Sequence, residues 1–387
     1  MIIPLKYNIG NLAARRVSTF MSVLGIGVVI AVMLSMMALY HGVKLALVSS
    51  GSKQNLLVMR EGAEAELMSW VTKDKYNVLR TLPGIEKDAA GQPLLSPELV
   101  IIFKLPKKDD PKGSNVTVRG VTPAAFTMRP YVKLVQGRMF RPGSGEVIVA
   151  RRIANRFVNA NLGDTFVAGP KWTVVGVFDA GNTSFDSEMW CDLNYLGGVR
   201  KRADSFSTVL LRPVDSTAFA SIRETIKGDN RLKLNAKSEY QYYADQTNAL
   251  LGIKILVAIV TIFMIIGAVL GTMNTMFSAV SSRTRELAAL RALGFKRRAV
   301  ILSVVIEAAF LALLGGLAGL LLSLPVNGIS TGTTNFSTFS EVAFNFRVDS
   351  EIAFIGITIA LVSGVIGGLL PALSAVWKPI PTALREI

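Results

Sequence analysis

Residues 17–40 read VSTFMSVLGIGVVIAVMLSMMALY, an apolar run without a single charge. A bilayer core takes about 20 mostly apolar residues in helical form, so this stretch predicts a membrane-spanning helix. It is too long for the roughly 7–15-residue apolar core of a signal peptide, and no small-x-small cleavage site follows it, which favours an uncleaved anchor. Three similar runs lie further along. Residues 255–280 are uncharged, 299–324 contain one acid, Glu307, and 352–377 end in GGLLPALSAVW. The expected fold class is therefore an α-helical membrane protein with four transmembrane helices, carrying an α+β two-lobed extracytoplasmic domain between the first two.

Lys and Arg in short loops set orientation. Lys6, Arg15 and Arg16 precede the first span. Arg283, Arg285, Arg291, Lys296, Arg297 and Arg298 lie between the second and third, and Lys378 and Arg385 follow the fourth. Arg347 in the loop 325–351 is offset by Glu341, Asp349 and Glu351. Both termini and the basic loop 281–298 are thus expected in the cytoplasm, and residues 41–254 and 325–351 outside it. Residues 1–16 mix apolar positions with Lys6, Asn8, Asn11 and Arg15, with Pro4 suited to a first turn, and read as an amphipathic helix in the interface. Residues 378–387 form a cytoplasmic tail.

The segment 41–254 has the patterning of a soluble domain. Residues 55–60 (NLLVMR), 98–105, 116–121, 207–212 and 232–236 read as strands, with helices over 69–82 and 216–227. This gives a split α+β lobe over about 50–121 and 206–240. An inserted β-rich lobe fills about 122–205, with strands at 146–150 and 172–178. Helical extensions at 42–50 and 239–252 are expected to continue the first two membrane helices as a stalk.

The net charge of +15 is what positive-inside loops require, and nucleic acid is not the expected partner. One cysteine, Cys191, and one histidine, His41, allow neither a disulfide nor a Cys or His metal cluster. No G-x-x-x-x-G-K-[ST] loop, HExxH or CxxC occurs. No pair of residues demands an enzymatic role, and neither a catalytic residue, a cofactor nor a metal is expected in the chain.

The richest segment is 281–298, SSRTRELAALRALGFKRR. Leu287, Leu290 and Leu293 recur at helical spacing, with Arg283, Arg285, Glu286 and Arg291 around them, and Gly294 is placed to cap the helix C-terminus. The helix is expected to insert these three leucines into a groove on a soluble partner, with Glu286 and Arg291 setting register. Arg283, ahead of the helix, is expected to matter little. Glu307, costly inside a bilayer, is expected to face a helix interface, with Asn274 or a backbone group as its partner. Gly267/Gly271, Gly315/Gly319 and Gly364/Gly368 are small-xxx-small pairs that permit close helix packing.

RTRELAALRALGFKRRAV, followed by Glu307 and LALLGGLAGLLLS, resembles the signature of MacB/FtsX-type ABC transporter permeases, as does the ending GGLLPALSAVWKPIPTALREI. VRGVTPAAF, VQGRMF, GEVIVARRIANRF, LGDTF and WTVVGVF resemble the MacB-like periplasmic core domain in order and spacing. The resemblance implies a dimeric permease, paired with a second copy or a paralogue, in the inner membrane. It implies that the short cytoplasmic helix docks on an ABC ATPase, which binds the ATP. With no phosphate loop here, a separate ATPase subunit is expected, with a periplasmic adaptor as a further candidate partner. Closure of the stalks on ATP binding would move the outer domain and act on a lipoprotein, lipid, peptide or drug outside the membrane. The alternative is FtsX-like signalling to an envelope hydrolase.

Overall fold

The computed structural model describes residues 10, 16–335 and 338–385. The amphipathic helix expected over 1–16 therefore lies almost wholly outside the described residues, as do the last two residues of the tail. Among the described residues four helices are long and apolar enough to cross a membrane: Arg16–Val48, Leu251–Ser281, Arg297–Val326 and Ser350–Trp377, with mean hydropathies of 2.5, 2.8, 2.4 and 2.3. The first extends well past Tyr40, as its sequence suggests. The chain forms two compact units, Met1–His41 with Gly252–Ile329 and Phe346–Ile387, and Gly42–Leu251 with Ser330–Asn345.

In the membrane unit, two of the three glycine pairs are points of close helix approach. Gly315 and Gly319 on the third span face Ile26 and Ile30 of the first. Gly364 and Gly368 on the fourth face Ala312 and Ala308 of the third. A side chain at any of these would collide with its neighbour, so the small residues set the interhelical distance. Gly267 and Gly271 on the second span meet nothing within 4 Å. That span has only 11% of its most apolar window buried.

The outer unit is built on a ten-stranded sheet. Its strands are β1 (Leu56–Arg60), β2 (Leu95–Leu105), β3 (Ser114–Val121), β4 (Lys133–Gly137), β5 (Glu146–Ala150), β6 (Thr165–Val167), β7 (Lys171–Asp179), β8 (Glu188–Asp192), β9 (Thr208–Leu211) and β10 (Leu234–Ser238). They run in the order β10-β1-β9-β2-β3-β8-β5-β7-β4, with β6 also paired to β7. The inserted lobe expected at 122–205 joins the split lobe through β3 and β8, which pair in parallel from Thr117↔Glu188 to Val121↔Asp192. The two lobes therefore share one backbone ladder. The helix expected over 69–82 is shorter, Lys73–Arg80, because Val71–Thr72 pairs as a short strand with Ser205–Phe206. The helix Ser216–Gly228 begins where expected, its N-cap Asp215 accepting a hydrogen bond from the Ala218 backbone N–H.

The loop 325–351 differs from expectation. Instead of a plain connection it holds a hairpin, β11 (Ser330–Thr334) and β12 (Glu341–Asn345), that belongs to the outer unit. Glu341 is buried and meets Lys107 Nζ and Arg156 Nη2, each at 2.5 Å. The Ala343 N–H donates to Ser187 Oγ at 2.6 Å. The chain thus returns from the third span to contribute two strands and a carboxylate to the domain inserted between the first two spans.

Two fully buried arginines organise the domain interior. Arg119, on β3, donates through Nη1 to Glu66 Oε1 at 2.8 Å and Glu98 Oε2 at 2.7 Å, and through Nε to Glu188 Oε2 at 2.8 Å. Arg129 donates to Glu98 Oε1 at 2.5 Å and Glu239 Oε1 at 2.9 Å. Trp190 Nε1 donates to Glu188, and Asn55 Nδ2 to Glu239, at 2.8 Å each. Burial pushes the Glu66 carboxyl above the usual carboxylate range. Burial acts the same way on Glu98, but the Arg129 and Arg119 guanidiniums outweigh it and hold that carboxyl below the range. The cluster binds β2, β3, β8 and the helix Glu239–Gln246 together. Removing one member of a buried ion pair costs about 3–5 kcal/mol, because the partner charge is left uncompensated. Arg119→Met is accordingly expected to lower unfolding stability by at least that much, read from tryptophan fluorescence in denaturant. A loss under about 1 kcal/mol would mean the cluster is not a structural centre.

Candidate functional site

The basic segment between the second and third spans folds as the helix Thr284–Ala292. Its C-terminus closes as the sequence indicates. Gly294 takes φ +97°, a left-handed conformation that glycine adopts without strain. The Gly294 N–H donates to the Arg291 carbonyl, and the Phe295 N–H to the Leu290 carbonyl, the paired bonds of a Schellman cap. Arg291 Nη1 donates to the Lys378 carbonyl, just past the fourth span, at 2.8 Å.

The helix is not free on all sides. Leu287 and Ala288 are buried, and Leu287 packs in a cluster with Met276, Val280, Val300, Val304, Ala308, Ala372 and Val376 from the second, third and fourth spans. Leu290 is half-buried against the same cluster. Leu293 is 75% exposed, and Arg285, Glu286, Ala289, Ala292 and Gly294 are exposed as well. The three leucines expected to fill one partner groove therefore divide. Leu287 belongs to the chain's own core, Leu290 lies at its edge, and only Leu293 projects outward. The reason is geometric: an apolar stripe seeks whatever apolar surface lies nearest, and here that is the bundle itself.

Two further expectations need correction. Arg283 is buried, and its Nη2 donates to Glu307 Oε2 at 2.6 Å. An arginine whose replacement is expected to do much less than that of a groove leucine is thus paired with the acid inside the third span. Glu307 meets Arg283 rather than Asn274. Asn274 is exposed on the second span, beside an open groove of about 420 Å³ whose walls include Ser18, Ser22, Thr275 and Ser278. No signal in the sequence joins Arg283 to Glu307, which are 24 positions apart.

The outer unit has a small polar cavity of about 30 Å³, lined in part by Glu66, Arg119, Glu188, Tyr243, Gln246 and Glu341. That is room for water and not for a drug-sized molecule. The lone thiol, Cys191, is buried, and burial pushes its ionisation upward, which makes it unreactive. Among the described residues no group of His, Cys, Asp or Glu side chains is arranged to hold a metal ion. The run 328–332, GISTG, spells the serine-hydrolase pattern G-x-S-x-G. Ser330 opens strand β11 of a hairpin, not the sharp strand-to-helix turn that exposes such a nucleophile.

Residues 19–228 match the MacB-like periplasmic core domain, and residues 258–380 the FtsX-like permease C-terminal region. The chain is 24% identical to a macrolide export ATP-binding/permease protein MacB of Bordetella avium (strain 197N), over 96% of this chain and 58% of the relative. It is 24% identical to the MacB of Vibrio parahaemolyticus serotype O3:K6, over 99% and 60%. A pyoverdine export ATP-binding/permease protein PvdT of Pseudomonas fluorescens is 35% identical over 33% of this chain and 18% of its own length. The chain therefore spans about three-fifths of the MacB relatives it matches along its whole length. Among solved structures, the periplasmic region of MacB from Actinobacillus actinomycetemcomitans is similar at a TM-score of 0.38 and 14% identity, covering 50% of this chain and 92% of that one. The extracellular domain of the transporter YknZ from Gram-positive bacteria gives 0.37 and 15%, covering 48% and 100%. With a periplasmic core domain matched over more than half its length and a permease region matched over its last three spans, the chain belongs to the MacB/FtsX-type family of ABC transporter permeases.

Proposed function

We propose that this chain is the permease subunit of a MacB-like ABC transporter, driven by an ATPase on a separate subunit. ATP is bound there, and the permease turns its hydrolysis into movement of the extracytoplasmic domain. The observation that carries this is the short helix Thr284–Ala292, whose inner face is built into the bundle while its outer face stays exposed. A helix held in this way transmits a push from a docked partner to the spans behind it.

The names of the relatives, macrolide and pyoverdine exporters, support export over the signalling alternative. They leave open a substrate among lipoproteins, lipids, peptides and drugs. A second copy or a paralogue is the proposed partner within the inner membrane. The sparsely covered second span, with Gly267 and Gly271 open, supports such pairing. A periplasmic adaptor is proposed as a further partner.

The outer face of the helix names the contact. Leu293→Asp places a charge where an apolar anchor is expected to be desolvated, at a cost of several kcal/mol to docking. Co-purification of the ATPase and transport-coupled turnover should then fall at least about tenfold, roughly 1.4 kcal/mol, with thermal stability unchanged. Leu287→Ala should do the reverse, lowering thermal stability by about 2–5 kcal/mol as a core truncation. Unchanged ATPase association with Leu293→Asp would remove this helix from the docking surface.

Topology is tested separately. The native thiol is buried, so an introduced cysteine reports alone. Cysteine at Ser282 should resist an impermeant thiol reagent in intact cells, and cysteine at Val167, 76% exposed on the outer unit, should react. The opposite pattern would invert the proposed orientation.

A further inference from the structure

The ion pair between Arg283 and Glu307 sits at an unusual place. Glu307 lies ten residues into the helix that starts at Arg297, which at 1.5 Å per residue is about 15 Å along its axis. A carboxylate inside a membrane span is expensive unless paired. Arg283 occupies the turn between the end of the second span at Ser281 and the short helix at Thr284. It is 7% exposed and Glu307 4%, and their contact is 2.6 Å. Arg283 Nε also points at the Ala279 carbonyl at 3.4 Å, which holds the guanidinium plane.

Two other attachments of the helix are of a different kind. Leu287 and Ala288 hold its middle by packing, which is non-directional. The Arg291 bond to the Lys378 carbonyl holds its end at an exposed site. Packed helices can slide over one another in small shear steps, because packing is non-directional. A desolvated guanidinium–carboxylate pair does not allow this. Any shift of the helix N-terminus away from the third span separates two buried charges.

We infer that Arg283 and Glu307 are positioning residues that pin the short helix in register against the third span, so that force applied to its outer face is delivered to that span. The inference rests on the docking reading above. It names the transmission element and not the docking contact.

The competing possibility is that the pair only spares each partner from being an orphan charge. A double variant separates the two. Replacing a buried ion pair by apolar residues of similar volume is often neutral or stabilising, so Arg283→Met with Glu307→Leu should still insert and melt near the wild-type temperature. The full chain, in lipid nanodiscs with the ATPase that co-purifies with it, is then read in two ways. Amide hydrogen exchange over residues 284–292 should speed up at least tenfold while the spans are unchanged. ATPase co-purification should persist, but transport-coupled stimulation of turnover should fall at least tenfold. Wild-type protection over 284–292 together with wild-type stimulation would overturn the inference and leave docking intact. Single Glu307→Gln, should the double variant fail to insert, is expected to give the same split between retained association and lost stimulation, and retained stimulation there overturns the inference. If the wild-type chain neither holds nor stimulates an ATPase, the docking reading fails, and the exchange measurement alone still decides whether the pair pins the helix.

Discussion

A charge withdrawn from water must meet its opposite, and that requirement orders both units of this protein. In the outer domain, Arg119 and Arg129 collect Glu66, Glu98, Glu188 and Glu239, and the bonds they donate reach across the shared sheet. Since β3 carries Arg119 and β8 carries Glu188, the cluster ties the inserted lobe to the split one at the strand pair where their ladders join. In the membrane unit, Arg283 and Glu307 do the same for the short helix and the third span. The hairpin repeats the pattern on a smaller scale, where Glu341 docks between Lys107 and Arg156. Such pairs contribute little net stability compared with apolar packing, but separating one leaves two uncompensated buried charges.

Apolar packing provides the remaining structure, and it was the part most readable in advance. Hydropathy locates the spans because each must be apolar over the width of a bilayer. The close approaches at Gly315, Gly319, Gly364 and Gly368 follow from small residues at helical spacing. Gly294 as a C-cap and Asp215 as an N-cap follow from backbone conformation and hydrogen bonding local to each residue. Strands of the outer domain are legible for a similar reason, since β-branched runs such as 172–178 suit a buried pleated surface.

What could not be read was always a matter of which surface a residue faces. The helical stripe Leu287, Leu290, Leu293 announces an amphipathic helix, but periodicity does not say whether its apolar side meets a partner or its own bundle. Arg283 looks like one of six positive-inside charges, and only its reach to Glu307 distinguishes it. Strand β11 of the hairpin reads STGTT, all Ser, Thr and Gly, so it lacks the apolar alternation that marks a half-buried strand. Pairing of β3 with β8 joins segments about 70 residues apart, a distance at which local pattern carries no information.

The central claim is that the short helix has two sides with separate duties, an inner side owned by the bundle and an outer side offered to an ATPase. Site-specific photo-crosslinking in native membranes tests this most directly, with the reactive group placed at position 293 or at position 287. The account predicts adducts to a protein bearing a G-x-x-x-x-G-K-[ST] phosphate loop from position 293, and adducts only within the permease from position 287. Adducts to that ATPase from 287 but not from 293 would contradict it.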